Sequence, residues 1–183
     1  MSTIALTKGQ VALVDPDDRD FLLAIGRWCF SNSGYAVHYT YGDAGQRKVL
    51  YMHRLVMQRI LGHPIPPDLQ VDHINLNRTH NTRDNLRLAT RSQNQAHKDI
   101  GVNNTSLYKG VSWNHGKWEA RIKYGHRRLH LGRYEDALTA AQVYDAASRL
   151  LYGDFAGCNF PHDPTPLHVE AHLTKALTRY PLS

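Results

Sequence analysis

Cysteine is scarce. The 183 residues hold two, Cys29 and Cys158, which form neither a metal-ligand pattern nor a disulfide framework. A reducing interior is the expectation. No run approaches the ~18 apolar residues of a membrane-spanning helix. The opening stretch MSTIALTKGQVALVD has no long apolar segment behind a basic start, which argues against a signal peptide. The composition, 42% hydrophobic and 21% charged, is that of an ordinary globular chain and excludes a wholly disordered or fibrous protein.

What is present is basic charge in two blocks. Residues 1–46 hold three basic and five acidic residues. Residues 47–98 hold nine basic and three acidic, and residues 107–134 seven basic and one acidic. One such block would fit a solubilising surface equally well, but two separate blocks point to a polyanionic partner, most often nucleic acid.

The first fifty residues read as short strands and turns. Val11–Val14 is strand-like, and Asp15-Pro16-Asp17-Asp18 is a turn or a helix start. Phe21–Phe30 reads as a short helix with Trp28 and Phe30 in the core, and Tyr35–Tyr39 as a strand. From Val49 to Leu61 the spacing of Met52, Leu55, Val56 and Ile60 predicts a helix, stopped by Gly62. Leu69–Ile74 is a strand, Asn75–Asp84 a polar loop and Asn85–Ala89 the returning strand. Thr90 with Gln93 starts a helix at Arg91. Gly101–Ser106 reads as a polar linker. Three strands, Tyr108–Trp113, Trp118–Lys123 and Arg128–Arg133, then form a meander. Glu135–Tyr152 carries an apolar stripe and acids at its start, marks of a helix. A short helix between Leu167 and Tyr180 closes the chain.

The first block holds Asp72-His73, Asn85 and Asn94. A neutral imidazole accepts a proton from water near pH 7. A hard divalent cation on a phosphate prefers oxygen ligands, which Asp and Asn supply. On a regular strand Asp72 and His73 point to opposite faces, so one shared site needs a bend there. Each residue also has a plainer reading: a turn hydrogen bond for Asp72-His73, a loop contact for Asn85, a cap or solvated position for Asn94.

The stretch MHRLVM … VDHIN … HNTRDNLRLATRSQNQ, from Met52 to Asn94, resembles the HNH endonucleases, in particular the phage and intron-encoded homing enzymes. The resemblance implies a ββα-metal nuclease fold. It makes His73 the general base, Asp72 and Asn94 the ligands of one divalent ion (Mg²⁺, or another such as Mn²⁺), and Asn85 the residue that bonds across the loop to hold the backbone bearing His73. Asn94 stands where the motif's final His often is, and Asn75-Leu76-Asn77 where many relatives have Asn-Gly-Asp. The four-Cys zinc site of some relatives is absent, so no structural zinc is expected. His80 is an extra candidate near the site or an exposed loop residue. His53 belongs to the helix before the motif and reads as structural, and Arg54 as a phosphate contact.

In the second block, alternation puts Glu119, Arg121 and Lys123 on one face of a strand and Ala120 and Ile122 on the other. Arg128 and His130 share a face of the next strand, with Leu129 and Leu131 opposite. A sheet with one cationic face suits a major groove, and Lys109, Lys117 and Arg127 add to its charge. The motifs Tyr108-Lys109-Gly110-Val111, Gly116-Lys117-Trp118, His130-Leu131-Gly132-Arg133-Tyr134, Val143–Ala147 and Asn159-Phe160 resemble the Apetala-two/ethylene-response-factor DNA-binding domain. That implies a three-stranded sheet packed on one helix, with Lys109, Lys117, Arg121, Lys123, Arg128 and His130 as DNA contacts. The plant contact residues differ, so the target sequence does not carry over. Trp113 touches DNA or packs under the sheet edge, and Trp118 belongs to the core.

The expected protein is therefore α+β: an N-terminal β-rich extension (1–48), a nuclease unit (49–100), a linker (101–106), a sheet module (107–160) and a tail (161–183). Its partner is double-stranded DNA, with no membrane, and its setting the cytosol of a bacterium or phage-infected cell. A non-catalytic DNA-binding regulator is the rival. An RNA-directed nuclease ranks third, because the basic face shows no aromatic ladder for stacking bases.

Overall fold

Short antiparallel pairings dominate the computed structural model, which describes residues 1–43, 45–98, 100 and 104–180. The chain divides into two compact units, Met1–Arg91 and Ser92 onward. The fold is mixed α+β, with several small antiparallel sheets and five α-helices among the described residues. None of those helices is long and apolar enough to cross a membrane.

In the first unit, β1 (Ser2–Ala5) and β2 (Val11–Val14) form a hairpin whose turn passes through Lys8 and Gly9, both at positive φ. Pro16 opens α1 (Pro16–Ile25), where its missing N–H costs nothing. The expected helix over Phe21–Phe30 is corrected here: the chain leaves α1 at Gly26, with φ 127°, and Trp28 lies beyond it. Trp28 is still a core residue, its Nε1 donating to the Leu22 carbonyl at 2.8 Å. A three-stranded sheet follows, from β3 (Cys29–Phe30), β4 (Ala36–Tyr41) and β5 (Arg47–Tyr51). The helix expected from Val49 begins only at Met52, as α2 (Met52–Leu61), because Val49–Tyr51 pair with β4. Gly62, in the left-handed region, ends α2.

The hairpin β6 (Leu69–His73) and β7 (Leu86–Thr90) pairs in register from Leu69↔Thr90 to His73↔Leu86, and α3 (Arg91–His97) starts directly after it. Asn85 belongs to a 3₁₀ turn before β7 rather than to the strand itself. Trp28, Leu22, Met52, Val56 and Val14 centre the core. Buried Asp18 is an ionic pin: its carboxylate accepts from Arg59 Nε at 2.8 Å and from Arg83 Nε and Nη2 at 2.8 and 2.9 Å. The hydrogen bond from Arg83 foremost, with that from Arg59, holds this carboxyl below its usual range despite burial.

The second unit is a sheet in the order β10-β9-β8 (Arg127–Tyr134, Lys117–Tyr124 and Val111–Asn114). Packed on it is α4 (Ala137–Tyr152), whose Ala140, Ala141 and Ala147 are fully buried and let the helix approach the strands closely. Asp136 caps it by accepting from Thr139 N at 2.7 Å. The tail is part of this core: α5 (Leu167–Leu177) buries Val169 and Leu173 there. Of the expected linker, Gly101, Val102 and Asn103 lie outside the described residues. Asn104 and Ser106 are tied into a turn, with Ser106 Oγ donating to the Val111 carbonyl at 2.7 Å.

Candidate active site and nucleic-acid interface

Asp72 and His73 end β6, and the loop after them is closed by side-chain amides. Asn85 Nδ2 donates to the His80 carbonyl at 2.7 Å and to Asn75 Oδ1 at 2.9 Å, and its Oδ1 accepts from Asn75 N at 3.1 Å. Its carbonyl accepts from Ile74 N at 2.9 Å. Asn85 therefore spans the loop and binds the two residues after His73. Leu76 is the middle residue of the first of the loop's two short asparagine turns, at φ 63°, in the left-handed region.

His73 is buried. Desolvation, the largest influence, holds its imidazole below the usual range, while Asn81 and the charge of Asp72 pull the other way. Its ring lies 5.1 Å from that of His53 and 6.1 Å from that of Tyr35. His53 is itself buried and lowered to about 3, by desolvation first and then by His73 and Arg54, so it is neutral at pH 7. Asp72, also buried, accepts from Arg87 Nε at 2.9 Å, directly across the hairpin. His80 is not an open loop residue: its Nδ1 lies 2.7 Å from Asn75 Nδ2. Arg54 is exposed on α2. Asn94 lies on α3, in the second unit, whereas Asp72, His73 and Asn85 lie in the first.

One site residue escaped the sequence reading. Asn81 is fully buried, and its Oδ1 lies 3.1 Å from His73 Nε2. Its signal was its place beside His80 in a loop that otherwise looks like solvated turn residues.

Among the described residues no three His, Cys, Asp or Glu side chains gather as a metal site. The donors expected to hold an ion, a carboxylate and a side-chain amide, are of the hard-oxygen type a divalent cation prefers. The group fits that chemistry, and Arg87 is the cation already beside Asp72.

On the second unit the expected alternation holds. Ala120, Ile122, Leu129 and Leu131 are buried, and Arg121, Lys123 and Arg128 are exposed on the other face, with Lys123 opposite Arg128 and Arg121 opposite His130. Glu119 shares that face but is only 2% exposed. Its Oε2 accepts from Asn114 Nδ2 at 2.9 Å and pairs with Arg121 Nη2 at 2.7 Å, and its Oε1 lies 2.7 Å from His130 Nε2. Burial pushes this carboxyl up, but the bonds from Asn114 and Arg121 and the charges of Arg121 and His130 outweigh it and hold it below its usual range. Lys117 pairs with Glu135 at 2.7 Å. The Lys109 ammonium is held by the carbonyls of Ala96 and Lys98, and its backbone N–H by Asn159 Oδ1 at 2.6 Å. Asn159 in turn donates to buried Asp145. Lys109 thus closes the module rather than standing clear of it. Trp113 is 57% exposed and meets the half-buried Trp118 edge-on at 5.1 Å.

Known proteins align with both units. Residues 50–96 match the HNH endonuclease family. An uncharacterized HNH endonuclease of Acanthamoeba polyphaga mimivirus is 34% identical over 154 residues, which is 83% of this chain and 76% of the viral protein. An ethylene-responsive transcription factor of Arabidopsis thaliana is 42% identical over 74 residues, 38% of this chain and 37% of the plant protein. A dehydration-responsive element-binding protein of Oryza sativa is 43% identical over 68 residues, 34% of this chain and 24% of its own length. The plant likenesses are partial on both sides, whereas the viral one spans most of both chains. The chain belongs to the HNH endonuclease family.

Proposed function

We propose that the protein is a divalent-metal-dependent DNA endonuclease of the homing type, with a separate sheet module that reads duplex DNA. The observation that carries this reading is His73: a buried imidazole held neutral, at the end of a hairpin whose loop is closed by Asn85. As general base, His73 takes a proton from the water that attacks the phosphorus, and the bond to the leaving oxygen breaks. Asn85 keeps the backbone after His73 in place during that step. Asp72 and Asn94 would hold the cation, with Arg87 giving up or sharing the Asp72 carboxylate it now pairs with. When bound, such an ion supplies positive charge to the scissile phosphate and the leaving oxygen.

The sheet of the second unit would supply register through Arg121, Lys123, Arg128 and His130, with Lys117 and Lys109 at its margins and Arg54 as a phosphate contact on the nuclease unit. Each neutralised phosphate adds roughly −0.9 to the log–log salt slope on duplex DNA. The test is cleavage of supercoiled plasmid with Mg²⁺ or with chelator, comparing the native chain with His73→Ala and Asn94→Ala. Loss of cleavage in both variants and in chelator is expected. Equal cutting by both variants and the parent would overturn the assignment. The plant relatives' description as transcription factors favours a second reading, a non-catalytic DNA-binding regulator. Metal-independent binding with no cleavage of any DNA would select it.

A further inference from the structure

We propose that Asn81 is a positioning residue for His73. Its amide fixes His73 as the Nε2–H tautomer, and strand β2 of the N-terminal hairpin fixes the amide. This rests on His73 being the base, but its geometric core stands without that reading.

An amide can face a histidine with either end, so its orientation must come from its other contacts. Asn81 Nδ2 lies 3.1 Å from the Thr79 carbonyl and 3.4 Å from Met52 Sδ. Both are acceptors, so the NH₂ group belongs there. Oδ1 is then the end that faces His73 Nε2 at 3.1 Å. An acceptor opposite Nε2 requires a proton on Nε2, and in a neutral ring that leaves the lone pair on Nδ1. A general base needs a defined nitrogen to receive its proton, and Asn81 selects Nδ1.

The amide has little freedom to turn. The Thr79 carbonyl that accepts from Nδ2 also accepts from Leu13 N at 2.9 Å. The Leu13 carbonyl accepts from Asn81 N at 2.7 Å, and Leu13 bridges His80 as a parallel neighbour. Two residues further on, Arg83 N donates to Asp15 Oδ2 at 2.7 Å. β2 and Asp15, the residue after it, therefore bind the loop on both sides of Asn81, and Leu13 of β2 holds the carbonyl that orients its side chain. This gives the N-terminal extension a role: it completes the nuclease site from about seventy residues away.

The experiment is a long-range ¹H–¹⁵N correlation spectrum of the full ¹⁵N-labelled chain at a pH where His73 is neutral, with its ring signals assigned by their loss in His73→Gln. The parent is expected to show a protonated Nε2 and an unprotonated Nδ1. Asn81→Asp, which keeps an acceptor, retains that pattern. Asn81→Leu, which removes it, moves the two nitrogens toward averaged shifts. An Nδ1–H pattern in the parent, or an unchanged pattern in a folded Asn81→Leu chain, would overturn the proposal. The parent spectrum decides even if Asn81→Leu does not fold. On a DNA substrate the same variant lowers kcat by about 10²-fold with KM little changed. A parent that never cleaves DNA but shows the Nε2–H ring would refute the nuclease reading and leave the Asn81 assignment intact.

Discussion

The carboxylate of Glu119 lies 2.7 Å from the guanidinium of Arg121, on the sheet face whose other long side chains are cationic. Together with the contact to His130, it makes a buried acid the centre of a basic surface. Glu119→Gln removes that charge and frees Arg121 for phosphate. Affinity for non-specific duplex DNA should rise at low salt, and the salt slope should steepen by about 0.9, one additional phosphate. Fluorescence anisotropy over roughly 50–200 mM salt reads both. Thermal stability should fall by about 1–2 kcal/mol, because a hydrogen bond to a charged group is lost in a buried setting. A slope equal to the parent's would mean that Arg121 does not reach phosphate.

Leu76 stands at φ 63°, a conformation that crowds the Cβ of any L-residue. The left-handed strain is about 1–2 kcal/mol, and glycine gives back part of that through its freer unfolded state. Leu76→Gly should therefore stabilise the chain by roughly 0.5–1 kcal/mol. The measurement is the urea midpoint at constant slope. A lower midpoint would show that the exposed leucine contributes packing that outweighs the strain.

Much of the architecture was legible where one periodicity ruled a segment. The alternation of Ala120 and Ile122 against Arg121 and Lys123 marked β9 and its buried face, and the alanine stripe marked α4. It was ambiguous where two patterns overlap. Val49–Tyr51 continues the helical spacing of Met52–Leu61, yet its hydrogen bonds go to β4. Alternation also says which face a residue shares, not whether that face is wet, so the burial of Glu119 was invisible. Asp72, His73 and Asn85 stood out because the stretch around them resembles the HNH motif. Asn81 did not, because its partners Leu13 and Met52 lie far from it along the chain. Contacts spanning such separations leave no local signature.

His53 carries a pH consequence. Its pKa falls from 6.5 to about 3 on folding, because burial disfavours the imidazolium. Below the unfolded value the unfolded chain binds a proton that the native state excludes. Stability is thus fully present above pH ~6.5 and declines toward the folded value, by up to about 1.4 kcal/mol per pH unit from this group. Denaturant unfolding at a series of pH values should show that slope, and His53→Phe, which fits among Tyr35, Tyr51 and His73 without titrating, should flatten it. An acid slope unchanged in the variant would assign the loss to other groups, buried His73 and the paired carboxylates.

Gly110 is a position in the second unit where a methyl group meets both a buried ring and backbone. It has φ +72°, and a Cβ there would overlap the Tyr144 ring and come within 2.7 Å of the Arg121 carbonyl. Tyr144 is buried in α4, and the Gly110 carbonyl accepts from Arg121 N at 2.8 Å, so neither neighbour yields without moving helix or strand. Gly110→Ala should cost roughly 3 kcal/mol, the left-handed strain added to the overpacking. Gly125, at φ +57° with open space around it, supplies the control: its alanine variant bears the strain alone, about 1 kcal/mol. Melting curves of the two variants separate the contributions, and duplex binding should be lost first in Gly110→Ala. Equal melting temperatures would mean that α4 does not seat Tyr144 against this glycine.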